Sequence, residues 1–199
     1  MKIIDQWSQD RTGWARFSDD MTMRFRLGRS LTGRELAVTG TAGFDLTNDE
    51  DGAYVTGDRV TFLMLNPSTA DAFKHDPTVG ECIKRARQLG ANALEVVNLF
   101  ALRSPYPADL RKRSHGQRGD DADANLEILR ACSRAIMVIA AWGTGGALDH
   151  RATVVCEMLR EHGIKLHHLG LTQDGWPKHP LARGKHRIPA ALMPQEWSM

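Results

Sequence analysis

The sequence predicts an α/β fold: a three-layer α/β/α sandwich around a four-stranded, mainly parallel sheet, with an N-terminal β-hairpin in front of it. Three observations predict it. From Val60 onward, short apolar runs alternate with helical patterns, the signature of βαβ units. Those runs lack polar alternation, as strands do when helices cover both faces of their sheet. Ahead of Val60 the pattern differs. Met21, Met23, Phe25 and Leu27 alternate with Thr22, Arg24 and Arg26, the period of a half-buried strand.

Trp14 and Phe17 precede a Ser18-Asp19-Asp20 turn, so a hairpin is expected there, and residues 40–58 read as a loop rich in Gly, Asp and Thr. The first core strand, Val60–Leu65, is stopped by Asn66-Pro67. Asp76-Pro77 opens a helix, with Asp as its cap and Pro suited to its first turn. Val79, Ile83, Ala86 and Leu89 form its apolar face, and Gly90 ends it. Leu94–Leu102 is the second strand, about Asp121 to Arg134 the second helix, and Ala135–Ala141 the third strand. A third helix over about Asp149–His162 stops at Gly163, and Ile164–Leu169 is the fourth strand. The division this implies is a β arm over 1–58 packed on an α/β domain over 59–199.

Composition excludes several classes. The 199 residues are 42% hydrophobic and 25% charged, ordinary for a soluble globular chain. Cys82, Cys132 and Cys156 are the only cysteines, too few for a disulfide scaffold or a four-cysteine metal site. No apolar run approaches the roughly 20 residues of a membrane span. The start, MKIIDQWSQD, turns polar too soon for a signal peptide. A cytoplasmic protein is therefore expected. A net charge of +2 neither demands nor forbids nucleic acid. Lys178, Arg183, Lys185 and Arg187 nonetheless cluster in KHPLARGKHR, an acid-free run that is either solvated surface or a phosphate contact.

Ligands of such sheets sit beyond the carboxyl ends of the strands. At the first end, Pro67 fixes a turn in which Asn66 either bonds local backbone or accepts from a water while donating to a ligand. Ser68 and Asp71 follow; Asp71 is either a base or a brace for the turn. Within the second strand Asn98 needs a partner for its amide, from backbone or from a ligand's donor and acceptor edge. Phe100 lies beside it, and Arg103 could meet an anion. The third strand ends in Trp142-Gly143-Thr144-Gly145-Gly146, where Trp142 is either core or a stacking platform. No dinucleotide or phosphate-loop fingerprint occurs, and no GxSxG elbow. The loop after the fourth strand carries His179 beside Pro180. The histidines lack an HExxH or i,i+4 helical pair, so no metal site and no cofactor are predicted.

The order of these motifs resembles the uracil-DNA glycosylase superfamily from about Val60 to Leu181. Leu65-Asn66-Pro67-Ser68 resembles that superfamily's first motif, whose Asn positions the attacking water. Val97-Asn98-Leu99 resembles the strand whose Asn reads the base edge. His179-Pro180 resembles the His-Pro of the second motif, whose His bonds the base oxygen as charge develops. More closely, residues 14–181 resemble a bacterial and phage domain-of-unknown-function family, number 1643. Its strings LNPSTAD, DPT, VVNLFALR, AAWG and LT.DG.P.HPL are found here as Leu65–Asp71, Asp76–Thr78, Val96–Arg103, Ala140–Gly143 and Leu171–Leu181. Two departures stand out. Asn66 replaces the water-activating Asp of the most active glycosylases, and Leu181 stands where many members carry Ser.

The resemblance implies a monofunctional DNA base N-glycosylase acting on a flipped base, modified bases included. Asn66 and His179 would be catalytic. Asn98, with Phe100 or Trp142, would hold the base, and Arg103, Lys178, Arg183, Lys185 and Arg187 would meet phosphate. The partner would be DNA or a nucleotide. Two alternatives stand beside it: a non-catalytic nucleobase-binding module, and an enzyme on free modified nucleosides or nucleotides. The near-neutral charge favours the free nucleotide, because duplex binding normally uses a broad basic face.

Overall fold

The computed structural model describes residues 2–36, 38–39, 54–55 and 58–198. Its strands are β1 (Ile3–Trp7), β2 (Gly13–Ser18), β3 (Arg24–Ser30), β4 (Val38–Thr39), β5 (Tyr54–Val55), β6 (Arg59–Met64), β7 (Ala93–Asn98), β8 (Met137–Ala140), β9 (Leu166–His168) and β10 (Gln195–Trp197). Its α-helices are α1 (Pro77–Gln88), α2 (Ala122–Ser133) and α3 (Arg151–Glu161). One eight-stranded sheet runs β1-β2-β3-β7-β6-β8-β9-β10, and β4 and β5 pair as a separate two-stranded sheet. The expected loop over 40–58 falls mostly outside the described residues.

The α/β class is as expected, but the four-stranded, mainly parallel sheet is not. Three pairings are parallel, β6/β7, β6/β8 and β8/β9. Four are antiparallel, β1/β2, β2/β3, β3/β7 and β9/β10. The four expected strands form the parallel centre. The N-terminal β1–β3 meander extends that centre past β7, and the C-terminal β10 extends it past β9. Both additions are non-local pairings, invisible to a local hydrophobic period.

Helices cover both faces. Val60, Phe62 and Met64 of β6 pack with Val79, Cys82 and Ala86 of α1. Leu63 points the other way, into a cluster with Ile128 and Leu129 of α2 and Ala152 and Val155 of α3. Each such aliphatic or aromatic side chain contributes on the order of 1.5–3 kcal/mol by leaving water. Local signals set the helix ends. The Asp76 side chain accepts from the Val79 amide at 2.8 Å ahead of Pro77, and Asp121 accepts from the Ala124 amide at 3.0 Å. Gly90 and Gly163 follow α1 and α3 with φ of 75° and 70°. α3 does not begin at Asp149. Asp149 and His150 take left-handed φ values of 48° and 56°, and the helix starts at Arg151.

The hairpin expected around Ser18–Asp20 joins β2 to β3. The half-buried reading of β3 is corrected: every residue from Arg24 to Arg29 is buried. Arg26 is accommodated by charge. It pairs with Glu95 at 2.5 Å and Glu127 at 3.3 Å, and Arg59 pairs with the other oxygen of Glu95 at 3.2 Å. Arg24 is accommodated differently, as described below.

Candidate functional site

A cleft of about 630 Å³ opens at the carboxyl ends of the parallel strands. β6 contributes Met64 and the turn carrying Leu65, Asn66 and Ser68. β8 leads into Trp142, Gly143 and a 3-10 turn over Gly143–His150. The loop after β9 delivers His179, the start of α1 delivers Asp76 and Thr78, and β3 delivers Arg24. The segment from Ser104 to Arg111 closes the remaining side.

Asn66 is held by its nitrogen. Nδ2 donates to the Ser104 carbonyl at 2.9 Å and the Pro67 carbonyl at 3.2 Å. Two carbonyl neighbours fix the orientation of the amide. Its Oδ1 has no partner among the described residues, so it can accept a hydrogen from a water or a ligand. The Ser104 carbonyl that anchors it belongs to a segment stiffened by a 2.6 Å bond from Ser104 Oγ to Asp109.

His179 has a defined tautomer. The Leu181 amide donates to its Nδ1 at 3.1 Å, so the neutral ring carries its proton on Nε2. Burial pushes its pKa down, and the Asp76 carboxylate pulls the other way. A neutral imidazole with a free Nε2–H is suited to bonding an oxygen on which charge develops. The His179 loop is tied to the β8 end by a 2.8 Å bond from the Gly143 amide to the Pro177 carbonyl.

Trp142 lines the cleft although it is only 2% exposed. Trp197 of β10 packs edge-on against it at 5.4 Å. The glycines beyond it serve packing: a Cβ on Gly146 would collide with the Trp142 ring, and one on Gly145 with the Leu65 side chain. Asn98 does not line the cleft. It is 3% exposed, neither amide atom has a partner among the described residues, and β-pairing sets it beside Met64, which does line the cleft.

Several expected contacts are not brought together. Phe100 is fully buried among α2-side core residues, with the Arg118 guanidinium 5.4 Å from its ring. It is no stacking platform for a ligand in this cleft. Arg103 lies 4.9 Å over Phe17 and donates to the Met21 carbonyl at 3.1 Å, bracing the β2–β3 turn rather than facing the cleft. Arg183 and Arg187 line a separate, more open depression with Glu81 and Arg85, and Lys178 and Lys185 line neither. Asp71 accepts from the Phe73 and Lys74 amides at 2.8 and 2.9 Å, which braces its own turn.

Asp76 and Arg24 stand out among the cleft residues that were not expected. Asp76 is accounted for in sequence as a helix cap, and it is one, but only through Oδ1; no described group bonds its Oδ2. Arg24 sits in an alternating strand pattern that assigns it to solvent. No local signal marks it: the covering of β3 comes from non-local pairing with β2 and β7.

Fold and cleft together define an α/β protein with a partly enclosed site of mixed polar and apolar lining at a sheet's carboxyl end. The chain belongs to the family described as protein of unknown function (DUF1643), whose model matches residues 52–181. The match begins later than residue 14, so Arg24 and the β1–β3 meander lie outside it. No curated protein and no solved structure matches the chain. Among the described residues no helix is long and apolar enough to cross a membrane, and no group of three or more His, Cys, Asp or Glu could hold a metal ion.

Proposed function

We propose that the chain is an N-glycosidic hydrolase that binds a nucleobase-bearing substrate in this cleft. One observation carries the reading: Asn66, Asp76, His179 and Trp142, drawn from four separate segments, line a single cavity. Its volume of about 630 Å³ lies inside the 300–1,000 Å³ range typical of small-molecule sites. The order of the Asn-Pro-Ser, strand-Asn and His-Pro motifs, similar to that of the uracil-DNA glycosylase superfamily, supports the same reaction class.

Water, held by the free Oδ1 of Asn66, attacks the sugar carbon. Its proton passes to Asp76 through the oxygen not used in capping. The carbon–nitrogen bond breaks, and its electron pair leaves with the base. His179 donates from Nε2 to the base oxygen that gains charge. Trp142 walls the base, and Asn98, unpartnered behind Met64, offers donor and acceptor together once Met64 yields. Asp76 supplies the base that the Asn66 motif lacks. The basic side chains Lys178, Arg183, Lys185 and Arg187 do not line the cleft, which favours a substrate that enters whole over a duplex lying across the surface.

The test is base release, followed chromatographically, from a panel of nucleosides, nucleotides and oligonucleotides of varied base. Asp76→Asn keeps a side chain that caps about as well as Asp, so the fold should be unchanged while release falls at least 100-fold. His179→Ala should cost about 10²–10³ in rate, the usual loss for one donor aimed at developing charge. Asn66→Ala should slow release with binding nearly intact. Tight binding without release of any base, by any substrate tested, would replace this reading with that of a nucleobase-binding module.

A further inference from the structure

The cleft holds a buried cation with no ion-pair partner among the described residues. Arg24 is 1% exposed yet lines the cleft. Its Nη1 donates to the Ala70 carbonyl at 2.8 Å, and its Nε has no partner. No carboxylate pairs with it among the described residues. Its pKa is held down to about 9, by burial first, with Arg103 and Arg29 adding to the lowering and Asp76 and Asp71 opposing it through space. The two arginines bring no compensation. Arg29 spends its fork on the carbonyls of Asp71, Lys74 and Gly28 and on His75 Nδ1, and Arg103 donates to the Met21 carbonyl. Three guanidiniums thus stand together beside two aspartates, and none of the three is ion-paired among the described residues.

A buried charge without a partner is expensive, and burial is normally accompanied by pairing. Arg26, two positions along the same strand, shows the paired solution with Glu95 and Glu127. Besides the free acceptors Asn66 Oδ1 and Asp76 Oδ2, the cleft offers further donors. The Ser68 and Thr78 hydroxyls line the cleft without partners among the described residues, and Thr78 lies in the first turn of the 12-residue α1, at its positive end. A guanidinium, two hydroxyls and a helix start suit an anion with several acceptor oxygens.

We propose that Arg24, with Ser68 and Thr78, forms a subsite for a phosphate monoester, so that the substrate of this cleft is a free nucleoside monophosphate. The proposal rests on the nucleobase reading above for the identity of the remainder of the ligand, but not for the anion. Depth decides between sources of phosphate. An internal phosphodiester carries sugar on both sides and stays at the surface, whereas a terminal monoester on a small ligand reaches a lining residue that is almost wholly covered.

Calorimetric titration tests it, with inorganic phosphate, a set of nucleosides, their 5′-monophosphates, and a short unphosphorylated oligonucleotide that has internal phosphates only. In the wild type the monophosphates should bind about 10–100-fold more tightly than the nucleosides, the worth of hydrogen bonds to a charged group. Arg24→Met should abolish that preference and leave nucleoside affinity unchanged. Arg24→Lys keeps the charge without the fork and should retain part of the preference, and it carries the test if the Met variant does not fold. Arg183→Ala with Arg187→Ala, in the separate depression, should change nothing. Equal binding of nucleoside and monophosphate, a preference that survives Arg24→Met, or an oligonucleotide that binds as tightly as the monophosphate each overturns the proposal while leaving the hydrolase reading open. Conversely, phosphate binding that depends on Arg24, with no nucleoside bound or cleaved, keeps the anion subsite and overturns the hydrolase reading.

Discussion

Two arginines on one strand allow a stability experiment with opposite expected signs. Arg24 and Arg26 are 1% and 0% exposed. Arg26 has two carboxylate partners, while Arg24 has a single carbonyl. A guanidinium held near 9 instead of 12.5 corresponds to a net cost of burying the charge on the order of 5 kcal/mol. At neutral pH Arg24 is charged in the folded and the unfolded chain alike, so that cost is fully present. Arg24→Met removes it, keeps an apolar stem of similar reach, and loses one charge-assisted bond of about 1.5–3 kcal/mol. The expected net effect is a gain of about 2–3.5 kcal/mol, which in a chain of this size raises Tm by several degrees, at about 2–4 °C per kcal/mol. Arg26→Met instead takes one partner from Glu95, which keeps Arg59, and one from Glu127, which keeps Arg16 and Arg130, and should lower stability by up to about 3–5 kcal/mol. Calorimetric melts and urea titrations of the two variants read this directly. A Tm for Arg24→Met lowered as far as that for Arg26→Met would refute the view of Arg24 as an uncompensated charge.

Gly146→Ala forces the Trp142 ring to move, because a Cβ there overlaps it; near-ultraviolet circular dichroism should change and Tm should drop by an amount typical of overpacking, about 1–3 kcal/mol, whereas an unchanged spectrum contradicts the packing. Asn98→Leu replaces a buried amide that has no partner, so the fold should hold or gain stability while nucleobase affinity falls; a loss of stability above about 2 kcal/mol would show that the amide is satisfied in the folded chain. Burial pushes His75, His168 and His179 below 6.5. Between the lowered values and 6.5 the unfolded chain binds protons that the folded chain refuses, so stability is complete above that range and declines as pH falls through it. Urea midpoints should therefore decrease from about pH 7 to pH 5, and midpoints that rise would sink this account.

What the sequence made legible was local. Asp76-Pro77, Asp121, Gly90 and Gly163 each act within one helical turn, and each marks its helix end in the structure. The four core strands were legible because each is a continuous apolar run. The sheet's true width was not, since β1–β3 join it through pairings such as Arg26 with Val97, far apart along the chain. Parity failed at one place. Asn98 and Phe100 share a face in any strand continued past residue 98, but β7 ends at Asn98. The chain then leaves strand geometry, and Phe100 turns into the α2-side core.

The cleft itself was half legible, and the missing half has a common cause. Asn66, Trp142 and His179 each lacked a complete local explanation, so each drew attention as a ligand contact. Asp76 had one, because a cap before Pro77 is sufficient reason for an Asp. Capping uses a single oxygen, however, and a serine would serve as well; the second oxygen is what an Asp adds, and it borders the cavity. Arg24 had one too, as the polar half of an alternating strand. That explanation required a solvated face, and the β3 strand has none once β2 and β7 flank it and both faces are covered. A residue whose local role is satisfied by part of its side chain can therefore carry chemistry on the remainder, and only the assembled sheet shows which part is left over.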